Sequence, residues 1–278
     1  MIRKLKKKNP FKHYLKFYVN GTSHSQGGGL ESLAQREDSV ETLYKNQYPT
    51  LIQSWPRQQD LTFAARLQER IQLELGFDNE AESGGGVQRT IRMTYRWLAR
   101  HWQIRDKIFL ILEIADPLRQ EAYYAPNQEY YIINTSDHTG CLELQYATRK
   151  YFSTDKKRSR EDRDLQQFWK DYVKNHINLL EEAQNNDCAT LGLYAFCKLH
   201  GVKIFLQQHH GSPLFDPALD QTDVIYFGKQ TGDIAQWAKD NHCTITQELH
   251  EARFDEHPGY FGHIKYAEQL ELFLRERL

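Results

Sequence analysis

Leu15-Lys16-Phe17-Tyr18-Val19-Asn20-Gly21-Thr22-Ser23-His24-Ser25-Gln26-Gly27-Gly28-Gly29-Leu30 is the stretch on which the reading of the fold turns. The apolar run from Tyr14 to Val19 reads as a buried strand, because a strand covered on both faces loses the usual polar alternation. A sharp glycine-rich turn follows, so Ser23 falls just past the carboxyl end of that strand.

Similar apolar, β-rich runs recur at residues 77–81, 107–114, 202–206 and 224–227. Helical patterns lie between them. In 61–75, Phe63, Leu67, Ile71 and Leu75 recur every four residues and Gly76 supplies a stop. Further helices are expected over 87–102, 165–180, 189–200, 234–241 and 263–278, the last turning Ile264, Ala267, Leu270 and Leu274 inward. Strands alternating with helices predict an α/β protein with a largely parallel, five-stranded sheet flanked by helices.

Residues 1–13 carry Arg3, Lys4, Lys6, Lys7 and Lys8 and read as a basic, solvated tail. Residues 14–278 read as one domain with two excursions, at about 31–56 and 123–163. Both exceed ordinary loop length, which marks them as lids or contacts for protein partners. The charge run at 156–163 is expected to be a solvated loop.

Composition narrows the classes. With 14 Phe, 16 Tyr and 5 Trp the chain has the aromatic content of a packed fold rather than a disordered one. A net charge of −1 gives no global attraction to nucleic acid or membrane. The longest apolar stretch, 108–112, is far short of the roughly 20 residues that span a bilayer. No apolar run follows the basic start, so no secretory signal is expected. Cys141, Cys188, Cys197 and Cys243 have no metal-ligand spacing and read as free thiols of a reducing compartment. His209 and His210 read as loop residues; no metal site and no cofactor are expected.

Near the other end stands Asp255-Glu256-His257-Pro258-Gly259-Tyr260-Phe261-Gly262-His263, an acid and an imidazole two residues apart before an amphipathic helix. A serine hydroxyl becomes a useful nucleophile only with a base to take its proton and a carboxylate to orient that base. In an open parallel sheet, ligands collect beyond the carboxyl ends of the strands, an edge both segments can reach. Ser23, His257 and Asp255 are therefore a candidate triad, with His263 a helix N-terminal residue. Two structural alternatives stand beside this reading. Gly27–Gly29 fits a flexible turn with Ser23 capping the next helix, and Gly84–Gly86 fits a phosphate cradle, although no Gly-Lys-Ser/Thr follows.

In four places, taken in order, the chain resembles the SGNH (GDSL-type) hydrolases, and within them a branch found in bacteriophage and bacterial genomes. Gly21-Thr22-Ser23 with Gly27 and Gly29 is similar to the first block, Thr22 standing where that block has an acid. Ser83-Gly84 resembles the second. In the third, Ala115 falls near a position usually held by Asn, and Pro117, Arg119 and Glu121 resemble a segment of the phage branch. Asp255-Glu256-His257-Pro258 resembles the fourth, one residue shorter than the common spacing.

The resemblance implies a three-layer, flavodoxin-like sandwich and an esterase without cofactor. Ser23 would be the nucleophile, His257 the base, Asp255 its orienting acid, and the N–H groups of Ser23 and Gly84 the oxyanion hole. Arg119 would bind an anionic substrate group or form a surface ion pair. The implied substrate is an acetyl or other short acyl ester of a carbohydrate or similar small molecule, and the implied setting is cytoplasmic or virion-associated. The alternative is a non-catalytic module of the same fold, a structural or glycan- or protein-binding part of a phage virion.

Overall fold

A computed structural model describes residues 9–26, 62–81, 85–115, 119–124, 129–134, 143–146, 171, 179–208, 218–225, 234–249 and 257–278. Its centre is a parallel sheet of four strands: β1 (Lys16–Asn20), β2 (Phe77–Asn79), β3 (Ile108–Ile114) and a later strand, β7 (Lys203–Gln208), in the order β2-β1-β3-β7. Register runs Val19 opposite Asn79, Asn20 opposite Leu112, and Glu113 opposite Gln207. The four carboxyl ends are thereby brought level.

The expected fifth strand is not formed within the described residues. Val224 makes a single parallel bridge with Leu206, and the Ile225 N–H donates to the Leu206 carbonyl at 2.8 Å. Residues 226–227 lie outside the described residues. Just before the bridge, Asp223 accepts from the Tyr194 hydroxyl at 2.6 Å and pairs with Lys198 at 2.8 Å. Those bonds tie the segment to the neighbouring helix.

Helices cover both faces. One face packs Phe17, Val19, Phe109, Ile111 and Phe205 against α2 (Phe63–Ile71), α5 (Ile234–Asp240) and α7 (Tyr260–Arg277). On the other, Tyr18, Leu110, Leu112, Ile204 and Leu206 meet α3 (Val87–Arg100) and α4 (Leu179–Leu199). Successive residues of each strand thus serve opposite cores, which is why the strands read as unbroken apolar runs. At roughly 25 cal/mol per Å² of apolar area removed from water, two such interfaces are the main source of stability.

Helix boundaries follow their caps. Thr62 accepts from the Ala65 N–H at 3.5 Å to start α2, and Gln72 ends it in a left-handed conformation. The helix expected over 189–200 begins ten residues earlier, at Leu179; residues 165–170 and 172–178 lie outside the described residues.

The excursion expected over 123–163 overlaps a second sheet, antiparallel: β4 (Arg119–Tyr124), β5 (Glu129–Asn134) and β6 (Glu143–Tyr146). Tyr123-Tyr124 and Tyr130-Tyr131-Ile132-Ile133 supply β-forming residues to it, which the reading of this interval as a loop excursion passed over. The interval 31–56 and residues 1–8 of the expected tail lie outside the described residues; of the rest of that tail, Pro10–His13 form a short 3-10 helix and Phe11 is buried in the core. Among the described residues no helix is long and apolar enough to cross a membrane.

Candidate functional site

The chain leaves β1 into the short helical turn α1 (Ser23–Gln26). Each of the four parallel strands contributes a polar side chain near its carboxyl end to hold this turn. From β1, Asn20 accepts from the Gly21 N–H at 2.8 Å and donates to the Tyr18 hydroxyl at 2.8 Å. From β2, Asn79 donates to the Ser25 carbonyl at 2.9 Å. From β7, Gln207 donates to the Ser25 hydroxyl at 3.5 Å and accepts from the Tyr266 hydroxyl of α7 at 2.6 Å.

Glu113 of β3 makes the densest set. Fully buried, it accepts from the Thr22 N–H at 3.1 Å, the Thr22 hydroxyl at 2.5 Å and the Ser25 N–H at 3.1 Å. His24 Nδ1 lies 3.2 Å from the same carboxylate. A carboxylate accepts only, so Nδ1 carries the proton of that contact. A buried carboxylate is costly unless hydrogen-bonded, and four donors meet that need here. Gly21 is required above it. With φ +155°, a Cβ on residue 21 would overlap the Glu113 Cβ and come within 2.8 Å of its Oε2.

His257 arrives from the far end of the chain. The Ile245 N–H, at the start of α6 (Ile245–Leu249), donates to its carbonyl at 2.9 Å. Thr244 bridges Pro258, and the Gly259 N–H donates to the Cys243 carbonyl at 2.9 Å. The half-exposed imidazole then lies with its centroid 5.0 Å from that of His24, the planes tilted by 45°. Helix α7 begins directly after it. Its N-cap, Gly259, has no side chain to cap with, and Glu248 of α6 does so instead, accepting from Phe261 N–H at 3.2 Å and Gly262 N–H at 2.7 Å.

Beneath this pair is His263, with no exposed surface. Its Nδ1 accepts from the Phe63 N–H at 3.1 Å, which puts the ring proton on Nε2, and Nε2 meets no partner among the described residues. Burial first, then the nearby His257 and Arg66, push the His263 pKa down to about 3, with Glu113 acting the other way. It is a neutral core histidine at physiological pH.

The expected site residues therefore divide. The backbone turn holding Ser23 and the ring of His257 come to the same sheet edge, linked through His24. The Ser23 side chain, Asp255 and Gly84 lie outside the described residues. Arg119 opens β4 opposite Asn134, on the second sheet. Ala115, just beyond β3, is buried and has no side-chain donor to offer. The sequence reading missed Glu113, His24, Asn20 and Gln207. A charged residue inside the apolar run 108–114 was the one signal that pointed to Glu113.

Burial pushes the thiols of Cys197 and Cys243 up to about 12, far from the thiolate a nucleophile needs. Among the described residues no cluster of histidine, cysteine and carboxylate side chains could hold a metal ion.

No protein-family model and no curated protein matches the chain. In structure it is similar to esterases and lipases. The psychrotrophic esterase EstA from Pseudoalteromonas sp., solved inhibited by monoethylphosphonate, is 9% identical, with a TM-score of 0.42 over 94% of this chain and 97% of that one. TesA is 10% identical, with a TM-score of 0.37 over 95% and 99%. A carbohydrate esterase whose active site is described as having divergent catalytic and non-catalytic binding functions gives 10% and 0.37, over 94% and 68%. At these identities and scores the likeness lends no weight to any particular chemistry.

Proposed function

We propose that the chain is a serine ester hydrolase of SGNH type. The observation that carries this reading is the meeting of the two chain ends: the turn bearing Ser23 and the imidazole of His257 share the carboxyl edge of the parallel sheet, bridged by His24. The strand order reverses around β1, and in an open α/β sheet the region outside the carboxyl ends at such a point is the usual place for a ligand.

In the proposed reaction the Ser23 hydroxyl attacks an acyl carbonyl while His257 takes its proton. Asp255 orients the imidazole, and the N–H groups of Ser23 and Gly84 stabilise the oxyanion. His257 returns the proton to the leaving alcohol. Water, activated the same way, then releases the acid and frees Ser23. The proposed substrate is an acetyl or other short acyl ester of a carbohydrate, with Arg119 available for an anionic group on it.

Labelling by a serine-directed fluorophosphonate, with acid release from acetylated sugars, tests the proposal. Ser23→Ala abolishes labelling, and both Ser23→Ala and His257→Ala lower turnover by about 10⁴-fold or more. Absence of labelling and turnover in the unmodified protein across pH 6–9 overturns it.

One observation favours a second reading, a non-catalytic module that binds glycan or protein. Ala115 leaves the end of β3 without a carboxamide donor, and loss of one oxyanion donor costs about 10²–10³ in rate. On that reading Ser23→Ala and His257→Ala leave glycan binding intact and no turnover is seen.

A further inference from the structure

We propose that Glu113 is the positioning residue of this site, fixing the turn that carries Ser23 and, through His24, the surface on which the His257 ring rests. This rests on the hydrolase reading for its kinetic consequence, though not for its structural one.

Three observations combine. Glu113 is fully buried at the carboxyl end of β3, beside the point where the strand order reverses. Its carboxylate binds residues on both sides of Ser23: Thr22 by backbone and hydroxyl, and Ser25 by backbone. It also faces His24 Nδ1, and the His24 ring in turn lies against His257. One side chain thus sets the pose of the turn and reaches the imidazole that serves it. Thr22 cannot do this. Its own hydroxyl is committed to Glu113 as a donor, so the negative charge under the turn comes from a different strand. Such a group touches no substrate; it acts by keeping the reacting atoms in register, where an error of about 1 Å can cost about 100-fold in rate.

The test is Glu113→Gln, nearly identical in shape but with a donor where one acceptor oxygen stood. The expected result is a fall in kcat on a small activated ester of about 100-fold with KM unchanged within about twofold, since the ground-state binding surface is untouched. In the free protein, nitrogen-15 imidazole spectra show the His24 Nδ1–H signal and the His257 ring signals both displaced by the substitution. Should Glu113→Gln not fold, His24→Phe keeps the ring and removes the link to the carboxylate, and the same displacement of His257 and a lowered kcat are expected. A folded Glu113→Gln, or His24→Phe in its place, that leaves kcat and the His257 signals unchanged overturns the proposal, as does a rise in KM alone. If the unmodified protein has no turnover yet the His24 and His257 signals still move together, the hydrolase reading fails and the positioning role stands.

Discussion

The imidazoles of His24 and His257 lie 5.0 Å apart, centroid to centroid, although one follows the first strand of the sheet and the other immediately precedes the last helix. Their contact ties the amino-terminal turn to the carboxyl-terminal segment at the edge where the four parallel strands end. Behind each ring is a separate anchor. His24 faces the buried Glu113, whereas His257 is held through its backbone by Ile245 and the Thr244–Pro258 bridge.

Because the two anchors are independent, the ring contact is a measurable coupling between them. His24→Ala and His257→Ala are each expected to lower stability, and the double variant to lose less than their sum by about 0.5–1.5 kcal/mol. Urea unfolding of the four proteins measures the difference. Strict additivity means that the rings do not support one another.

Gly21 offers a sharper steric test. Any Cβ at this position meets the Cβ and Oε2 of Glu113, so either the turn or β3 must move. Gly21→Ala is expected to cost about 2–3 kcal/mol as an overpacked core site. On the proposed hydrolase reading it also shifts Ser23, so the surviving folded fraction is expected to lose ester turnover. Calorimetry and a serine-directed probe applied to the same sample check both halves. A variant of normal stability and labelling contradicts the close approach.

How legible all this was depended on where the information resides. The strands of the sheet were readable because burial on both faces leaves apolar runs such as 108–112 without alternation. The edge position of Val224 was less so, since the same pattern suits a full strand or the lone bridge it forms with Leu206. The second sheet was read as an excursion because β4 opens on the polar Arg119-Gln120-Glu121 and β6 has only four residues, which leaves Tyr130-Tyr131-Ile132-Ile133 as its one sustained apolar run. Ser23 and His257 were proposed from motif and chemistry. Glu113 was passed over as one charge in an apolar strand, because its meaning lies in donors from residues 22–25, and only the register between β1 and β3 brings these together.

Helix α7 depends on a cap borrowed from α6. Glu248→Ala removes the acceptor for two donors at its start, the N–H groups of Phe261 and Gly262. The expected cost is about 1–2 kcal/mol, the usual worth of an N-cap with a charge at the positive end of a helix. Since His257 lies three residues before the helix, amide exchange is expected to speed up over 257–263 as well as at the helix start. Protection unchanged in that segment places the anchoring of His257 elsewhere.

His263 makes stability depend on pH in a direction that can be worked out. Its folded value is pushed down to about 3 from an ordinary 6.5, first by burial and then by His257 and Arg66. Below pH 6.5 the unfolded chain therefore takes up a proton that the folded one refuses. Stability is full above that value and declines as pH falls towards 3, by about 1.4 kcal/mol per unit for this one group. His263→Asn keeps an acceptor for the Phe63 N–H and removes the titration. The variant is expected to be less stable at pH 7, because of the lost ring volume, yet to show a shallower decline between pH 6 and 4. Carboxylates such as Glu271 are common to both proteins, so the difference between the two curves isolates the histidine. Urea unfolding at half-unit intervals supplies those curves. If they run parallel through this range, His263 is not the group that binds the proton on unfolding.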